Sequence, residues 1–296
     1  MRTSEQTIIP AAEWQARAAG HRARAEQWSL PARQRRGSNR SHPVEDFLFT
    51  YYHSPISKLE EWHPGYGSAF ESVEPLPAWL AKNPYRQTDG MIFADPARLD
   101  GKEITRLRWI HDLLAATADR APNHACHGLH EWAMVYRGTE VRHSTTTALR
   151  LPQAEIDALV SSQPVRCSHF DAFRFFHAEA RPLNRLQPTL NDRHDLEQPA
   201  CVHANMDLYK WAAKSVPWVG SELLLDCFEQ ALELRHFDMR ASPYDLTEYG
   251  LDPVRIETPD GRRDYEQEQK RLAVKAAPLR ARLIMALARV LRDLPA

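Results

Sequence analysis

Four cysteines in 296 residues, Cys126, Cys167, Cys201 and Cys227, are too few and too scattered to frame a disulfide-rich secreted fold. A reducing cytoplasm is the expected compartment. No stretch approaches the roughly 18 apolar residues of a membrane span, and Arg280, Arg282 and Arg289 interrupt the best candidate. The start of the chain lacks a signal-peptide core, because Arg2 and Glu5 fall where apolar continuity would begin. Charge of one sign is also missing: 38 Lys and Arg meet 39 Asp and Glu, for a net charge of −1. That balance argues against non-specific coating of nucleic acid and leaves room only for a local basic patch. Eleven glycines against 21 prolines point to stiff connections, and no low-complexity tract occurs.

What remains is the composition of a globular protein, 43% hydrophobic and 26% charged. Residues 1–41 read as a basic, partly flexible arm. Its first part, from Ala11 to Trp28, is helical in pattern and should end at Leu30-Pro31. Beyond that, Arg33, Arg35, Arg36 and Arg40 form a short basic run able to touch phosphates. Residues 42–296 read as one mainly α-helical catalytic domain with a few short strands. Leu107, Ile110, Leu113 and Leu114 recur at helical spacing, as do Leu224, Cys227, Phe228, Ala231 and Leu234. Met91 to Ala94 is an expected short strand, residues 147–151 another, and Asn184 to Pro199 an expected loop. Thr258-Pro259 starts the last helical region, with a kink or break before Pro278.

Three segments concentrate reactive groups. As a helix, Cys201 to Trp211 places His203, Asp207 and Trp211 at i, i+4 and i+8, with Asn205 and Tyr209 in the same run. The segment from Cys126 to Tyr136, also as a helix, puts His127, His130 and Glu131 on one face beside Trp132. On a strand from Arg166 to Phe176, His169, Asp171 and Phe173 point one way and Phe170 the other. None of these is a zincin motif, and the Cys/His spacing matches no zinc knuckle. If the three converge, a pocket holds several imidazoles and carboxylates, and His203 and Asp207 lie within reach of at least one other segment. Each group has a plainer alternative: a buried thiol as a small hydrophobe, a histidine or aromatic as ordinary core.

The strings CHGLHEWAMVYR, CSHFDAFRFF, HANMDLYKWA, DMRASPYDL and IETPDGR resemble those of a bacterial family labelled 3-methyladenine DNA glycosylase, over residues 42 to the end. The resemblance implies excision of alkylated purines from DNA without a cofactor, and assigns roles to no residue. The chain carries no helix-hairpin-helix signature. In that chemistry an alkylated adenine is already a cationic leaving group, so a carboxylate that stabilises an oxocarbenium-like sugar and orients water suffices. Asp207, Asp171 and Glu131 are the candidates. His203, Asn205, Tyr209, Trp211, Phe170, Trp132 and His130 would line the base site, and Arg33, Arg35, Arg36 and Arg40 would hold phosphates. The alternative is a metal- or haem-dependent oxygenase or hydrolase, with His127, His130, His169 and His203 as ligands for iron, zinc or manganese. A third reading is a protein that binds a nucleobase or small aromatic without turnover.

Overall fold

The computed structural model describes residues 7–77, 80, 84–138 and 147–295; residues 1–6 of the expected arm lie outside them. Over the described residues the chain is mainly α-helical with one small sheet. In order it runs β1 (Thr7–Ile9), α1 (Ala11–Gly37), α2 (Phe47–Tyr51), β2 (Ser68–Glu71), β3 (Tyr85–Thr88), β4 (Met91–Ala94) and α3 (Gly101–Asp119). Then follow α4 (Leu129–Val135), α5 (Gln153–Ser162), α6 (Phe170–Phe173), α7 (Arg193–Leu196), α8 (Val202–Ser215), α9 (Ser221–Arg240) and α10 (Pro259–Arg292). Short 3-10 turns occur at Ile56–Leu59, Pro96–Arg98, Arg181–Leu183 and Thr247–Tyr249. No helix of the described residues is long and apolar enough to cross a membrane.

Two compact units form from interleaved segments. The first comprises residues 1–114, 208–229 and 279–296, and the second residues 115–207 and 230–278. The first unit holds the sheet, in the order β1-β2-β4-β3, with β1 parallel to β2 and the other pairs antiparallel. Asp89 and Gly90 link β3 to β4, and both take positive φ, the backbone of a two-residue hairpin turn. Helix α1 packs through Trp14, which stacks on Trp62 at 6.3 Å, meets Phe70 edge-on at 5.6 Å and donates to the Glu71 carbonyl at 2.9 Å. The helix does not stop at Leu30-Pro31; it continues to Gly37. Pro31 cannot donate to the Gln27 carbonyl, but Gln27 is exposed and water can satisfy that oxygen. Buried Ala32 and ion pairs from Arg33 to Glu60 and from Arg35 to Asp46 hold the last turns.

In the second unit, α4 begins after Gly128, whose φ of +72° opens the helix from a left-handed turn. A Cβ on Gly128 would also stand 3.1 Å from the Tyr265 ring. The α4 core residue Trp132 donates to the Ala241 carbonyl at 2.8 Å. Arg150 grips Glu257 with two 2.6 Å bonds while its guanidinium lies 5.0 Å from the Trp132 ring. The stretch 147–151 is no strand; Leu149 makes a single bridge to Tyr244. Where a loop was expected, Arg193–Leu196 is a helical turn, pinned by Arg120 Nη2 donating to the His194 carbonyl at 2.7 Å. Helix α10 runs unbroken through Pro278, and the oxygen that Pro278 leaves without a donor belongs to exposed Val274.

Candidate functional site

The site is built from helix ends of the second unit. His130 and Glu131 follow the first residue of α4, and His203 is the second residue of α8. Asp207 lies one turn beyond His203. Arg235 and Asp238 come one turn apart near the end of α9. His169 is the residue before α6, and Arg193 opens α7 with Glu197 just past its end. The His130 and His203 rings meet edge-on with centroids 4.4 Å apart, and His203 stacks on His169 at 5.5 Å. His203 therefore meets both of the other segments, and Asp207 meets the one that holds His169.

Two groups stand on either side of His203. In the first, His130 Nε2 is 3.0 Å from Asp238 Oδ1 and His203 Nε2 is 3.9 Å from Asp238 Oδ2. Arg235 Nη1 is 3.1 Å from Glu131 and 3.6 Å from Asp238. In the second, His169 Nε2 bonds Asp207 Oδ2 at 3.3 Å. Arg193 forks to Glu197 at 2.6 Å and Asp207 at 2.9 Å, and its third nitrogen lies 3.3 Å from Asp171. Asp238 is fully buried, and His130, His169, Glu197 and Asp207 are each at most 2% exposed.

Charges so deeply buried must be compensated. Five carboxylates (Glu131, Asp171, Glu197, Asp207 and Asp238) face the guanidiniums of Arg193 and Arg235, and half-buried Arg166 borders the adjoining cavity, so carboxylates outnumber guanidiniums by two. Burial would lower the His130 pKa, but the adjacent Asp238 carboxylate overrides it and holds it well above the usual value. Burial, reinforced by His130, pushes His203 well below its usual value, so that ring is neutral. Burial alone would raise Asp238, yet His130, His203 and Arg235 keep it ionised.

The polar satisfaction is incomplete at one point. His130 Nε2 and both Asp238 oxygens are buried without a hydrogen-bond partner among the described residues. At 3.0 Å the nitrogen and the carboxylate are close enough to bond, but not in the line that an N–H···O bond requires. Two ligands of one ion meet in this way: for metal–ligand bonds of about 2.1 Å, neighbouring ligand atoms sit about 3.0–3.4 Å apart. One donor atom each from His130, Glu131, His203 and Asp238 lies within 4.8 Å of every other; His169, Glu197 and Asp207 form a second such set. Beside the first, Cys126, Cys167, Cys201, His130, His203 and Tyr265 border a cavity of about 10 Å³. That is room for about one water or one ion. A larger groove of about 540 Å³ lies on the sheet of the first unit, lined by Ile8, Arg86, Met91 and Phe93 among others.

Several sequence expectations change. His127 precedes α4 with a positive φ, off the face of His130 and Glu131, and packs edge-on against Tyr265 at 6.4 Å. His169, Phe170, Asp171 and Phe173 form a helix start rather than a strand. Trp132 is wholly buried and committed to core contacts, so it offers no face to a base. Asn205 is buried and donates to the Pro199 carbonyl at 3.0 Å. Tyr209 and Trp211 belong to the first unit, Tyr209 against Phe228 at 5.1 Å and Trp211 against Trp109 at 5.4 Å. Of the four expected phosphate contacts, Arg33 and Arg35 are paired with acids, while Arg36 and Arg40 are exposed. Asp238, Arg235, Arg193 and Glu197 were not expected. The i, i+4 spacing of Arg193 and Glu197 was the available signal for one pair. Compared with known proteins, the chain matches no family model, no curated protein and no solved structure.

Proposed function

We propose that the second unit is a metal-dependent enzyme centre of the hydrolase or oxygenase type, with a divalent transition-metal ion held by His130, His203 and Asp238 and with Glu131 beside them. The observation that carries this is the buried, misaligned meeting of His130 Nε2 with an Asp238 carboxylate that makes no aligned hydrogen bond among the described residues. Imidazole with carboxylate suits iron, manganese or zinc rather than calcium or magnesium. An ion there would also neutralise the two excess negative charges. Such an ion supplies Lewis acidity and a water acidified toward neutral pH.

The chain's own groups would do the rest. Asp207, fixed by Arg193, orients the His169 ring through its Nε2. Glu131, held by Arg235, is a second carboxylate beside the ligand set. The test is metal content of protein purified without chelator, followed by reconstitution with zinc, manganese or iron(II). About one ion per chain is expected, falling at least tenfold in His203→Ala and Asp238→Ala. Wild-type protein that takes up none of the three ions sinks the reading.

A second reading, excision of an alkylated purine by Asp207, is favoured by one fact. The strings that resemble the glycosylase-labelled family contribute His130 and Glu131, His169 and Asp171, His203 and Asp207, and Asp238. Against it, a flipped base needs a pocket of about 300 Å³ or more, and the cavity at the cluster is about 10 Å³. Incubation with alkylated duplex decides it: release of free 3-methyladenine that is lost in Asp207→Asn supports excision, and release no greater than that of the variant excludes it.

A further inference from the structure

We infer that Cys126 is a positioning residue for this centre, holding the His130 ring so that Nε2, the nitrogen that gives up its proton when an ion binds, faces Asp238; the inference rests on the metal reading above. Cys126 Sγ lies 3.5 Å from His130 Nδ1, within reach of a sulfur hydrogen bond. An imidazole that binds an ion through Nε2 carries its hydrogen on Nδ1, and that hydrogen needs an acceptor. For His130 the thiol is the acceptor. A carbonyl or carboxylate usually fills this place at metal-bound histidines, so a thiol here is a residue-specific choice.

The backbone is arranged to bring the two groups together. Cys126 lies outside α4, and its carbonyl accepts from Leu129 N at 3.0 Å, closing the turn that ends in left-handed Gly128. Gly128 can hold that turn because it has no Cβ to meet the Tyr265 ring. The turn sets Cys126 beside the first turn of the helix, where its sulfur meets the inner nitrogen of a ring whose outer nitrogen faces Asp238. Cys167 and Cys201 border the same cavity, and neither hydrogen-bonds a His130 nitrogen.

The test uses the full chain with cobalt(II) as the probe ion, comparing wild type, Cys126→Ala and Cys126→Ser. Affinity is read by competition with a chelator, and the visible and near-ultraviolet spectra are recorded for each. We expect Cys126→Ala to bind cobalt about 10–100-fold more weakly, the usual cost of losing a partner behind a ligating histidine. Cys126→Ser, which keeps an acceptor, should recover at least half of that loss on a logarithmic scale. No sulfur-to-cobalt charge-transfer band should appear in wild type. Equal affinity in Cys126→Ala, no recovery in Cys126→Ser, or a charge-transfer band that Cys126→Ala abolishes each overturns the inference, the last by making Cys126 a ligand. Wild-type protein that binds no cobalt removes the metal reading itself and the inference with it, so the two failures are distinguishable.

Discussion

Arg193 shows how tightly the site depends on single side chains. Its guanidinium is the cation shared by Glu197, Asp207 and Asp171, with its side chain only 5% exposed. Truncating it leaves buried carboxylates facing one another, a loss of the kind that costs about 3–5 kcal/mol. Arg193→Ala should therefore unfold at markedly lower denaturant, while Arg193→Lys recovers only part, because an ammonium cannot make the planar fork. Equal midpoints for wild type and Arg193→Ala would show that the cluster is not held together by this charge. Glu257 gives a second test through pH. Burial would raise its pKa, but the Arg150 fork outweighs that and holds it below its ordinary 4.5. The folded pKa thus lies below the unfolded one, so the contribution is full above about 4.5 and is lost as pH falls toward the depressed value. Glu257→Gln should flatten the stability curve on that acid limb and leave its slope near pH 7 unchanged.

At the scale of elements, regular periodicity was readable and irregular geometry was not. The stripes on α3 and α9 stand out because Leu107, Ile110 and Leu113, like Leu224, Phe228 and Leu234, repeat with the helix and are buried. Pro31 and Pro278 misled in the same way: each reads as a break, yet each frees a carbonyl on an exposed face, where water replaces the lost donor. Phe-rich Arg166 to Phe176 has strand-forming residues, but a four-residue helix forms there because Cys167 is pinned on both sides of its peptide by the Asn184 side chain. Such long-range ties leave no local signature. Asp238 was hidden for a related reason, since nothing local to α9 shows that its carboxylate meets His130 of α4. One element start rests on a glycine. A Cβ on Gly261 would fall 1.9 Å from the Arg255 carbonyl oxygen. Gly261→Ala must push backbone apart at the first turn of α10, and a loss of about 1–3 kcal/mol or more is expected. A stability within about 0.5 kcal/mol of wild type, the usual range for surface substitutions, would mean that this turn is not as close as described.

For the molecule as a whole, composition indicated a globular chain with a real core and periodicity a mainly helical one, and the three Cys/His segments do meet in one unit. What composition could not give is the charge balance of that meeting, because buried and exposed charges count alike in a net charge of −1. Inside the second unit the balance is negative, and this ties stability to cation binding. An ion that binds the folded chain and not the unfolded one stabilises it by RT ln(1 + [L]/Kd), about 2.7 kcal/mol at a hundredfold excess over Kd. At the entropy of unfolding of a chain this size, that amounts to a rise in melting temperature of several degrees, on the order of 5 °C. The rise should follow the logarithm of free zinc or cobalt concentration, vanish on adding chelator, and shrink in Asp238→Asn, which keeps the shape of the side chain and removes its charge. Magnesium at the same concentration should do little, since two imidazoles are poor ligands for it. A melting temperature indifferent to zinc and cobalt would mean that the cluster balances its charge with protons alone, and the buried carboxylates would then be structural.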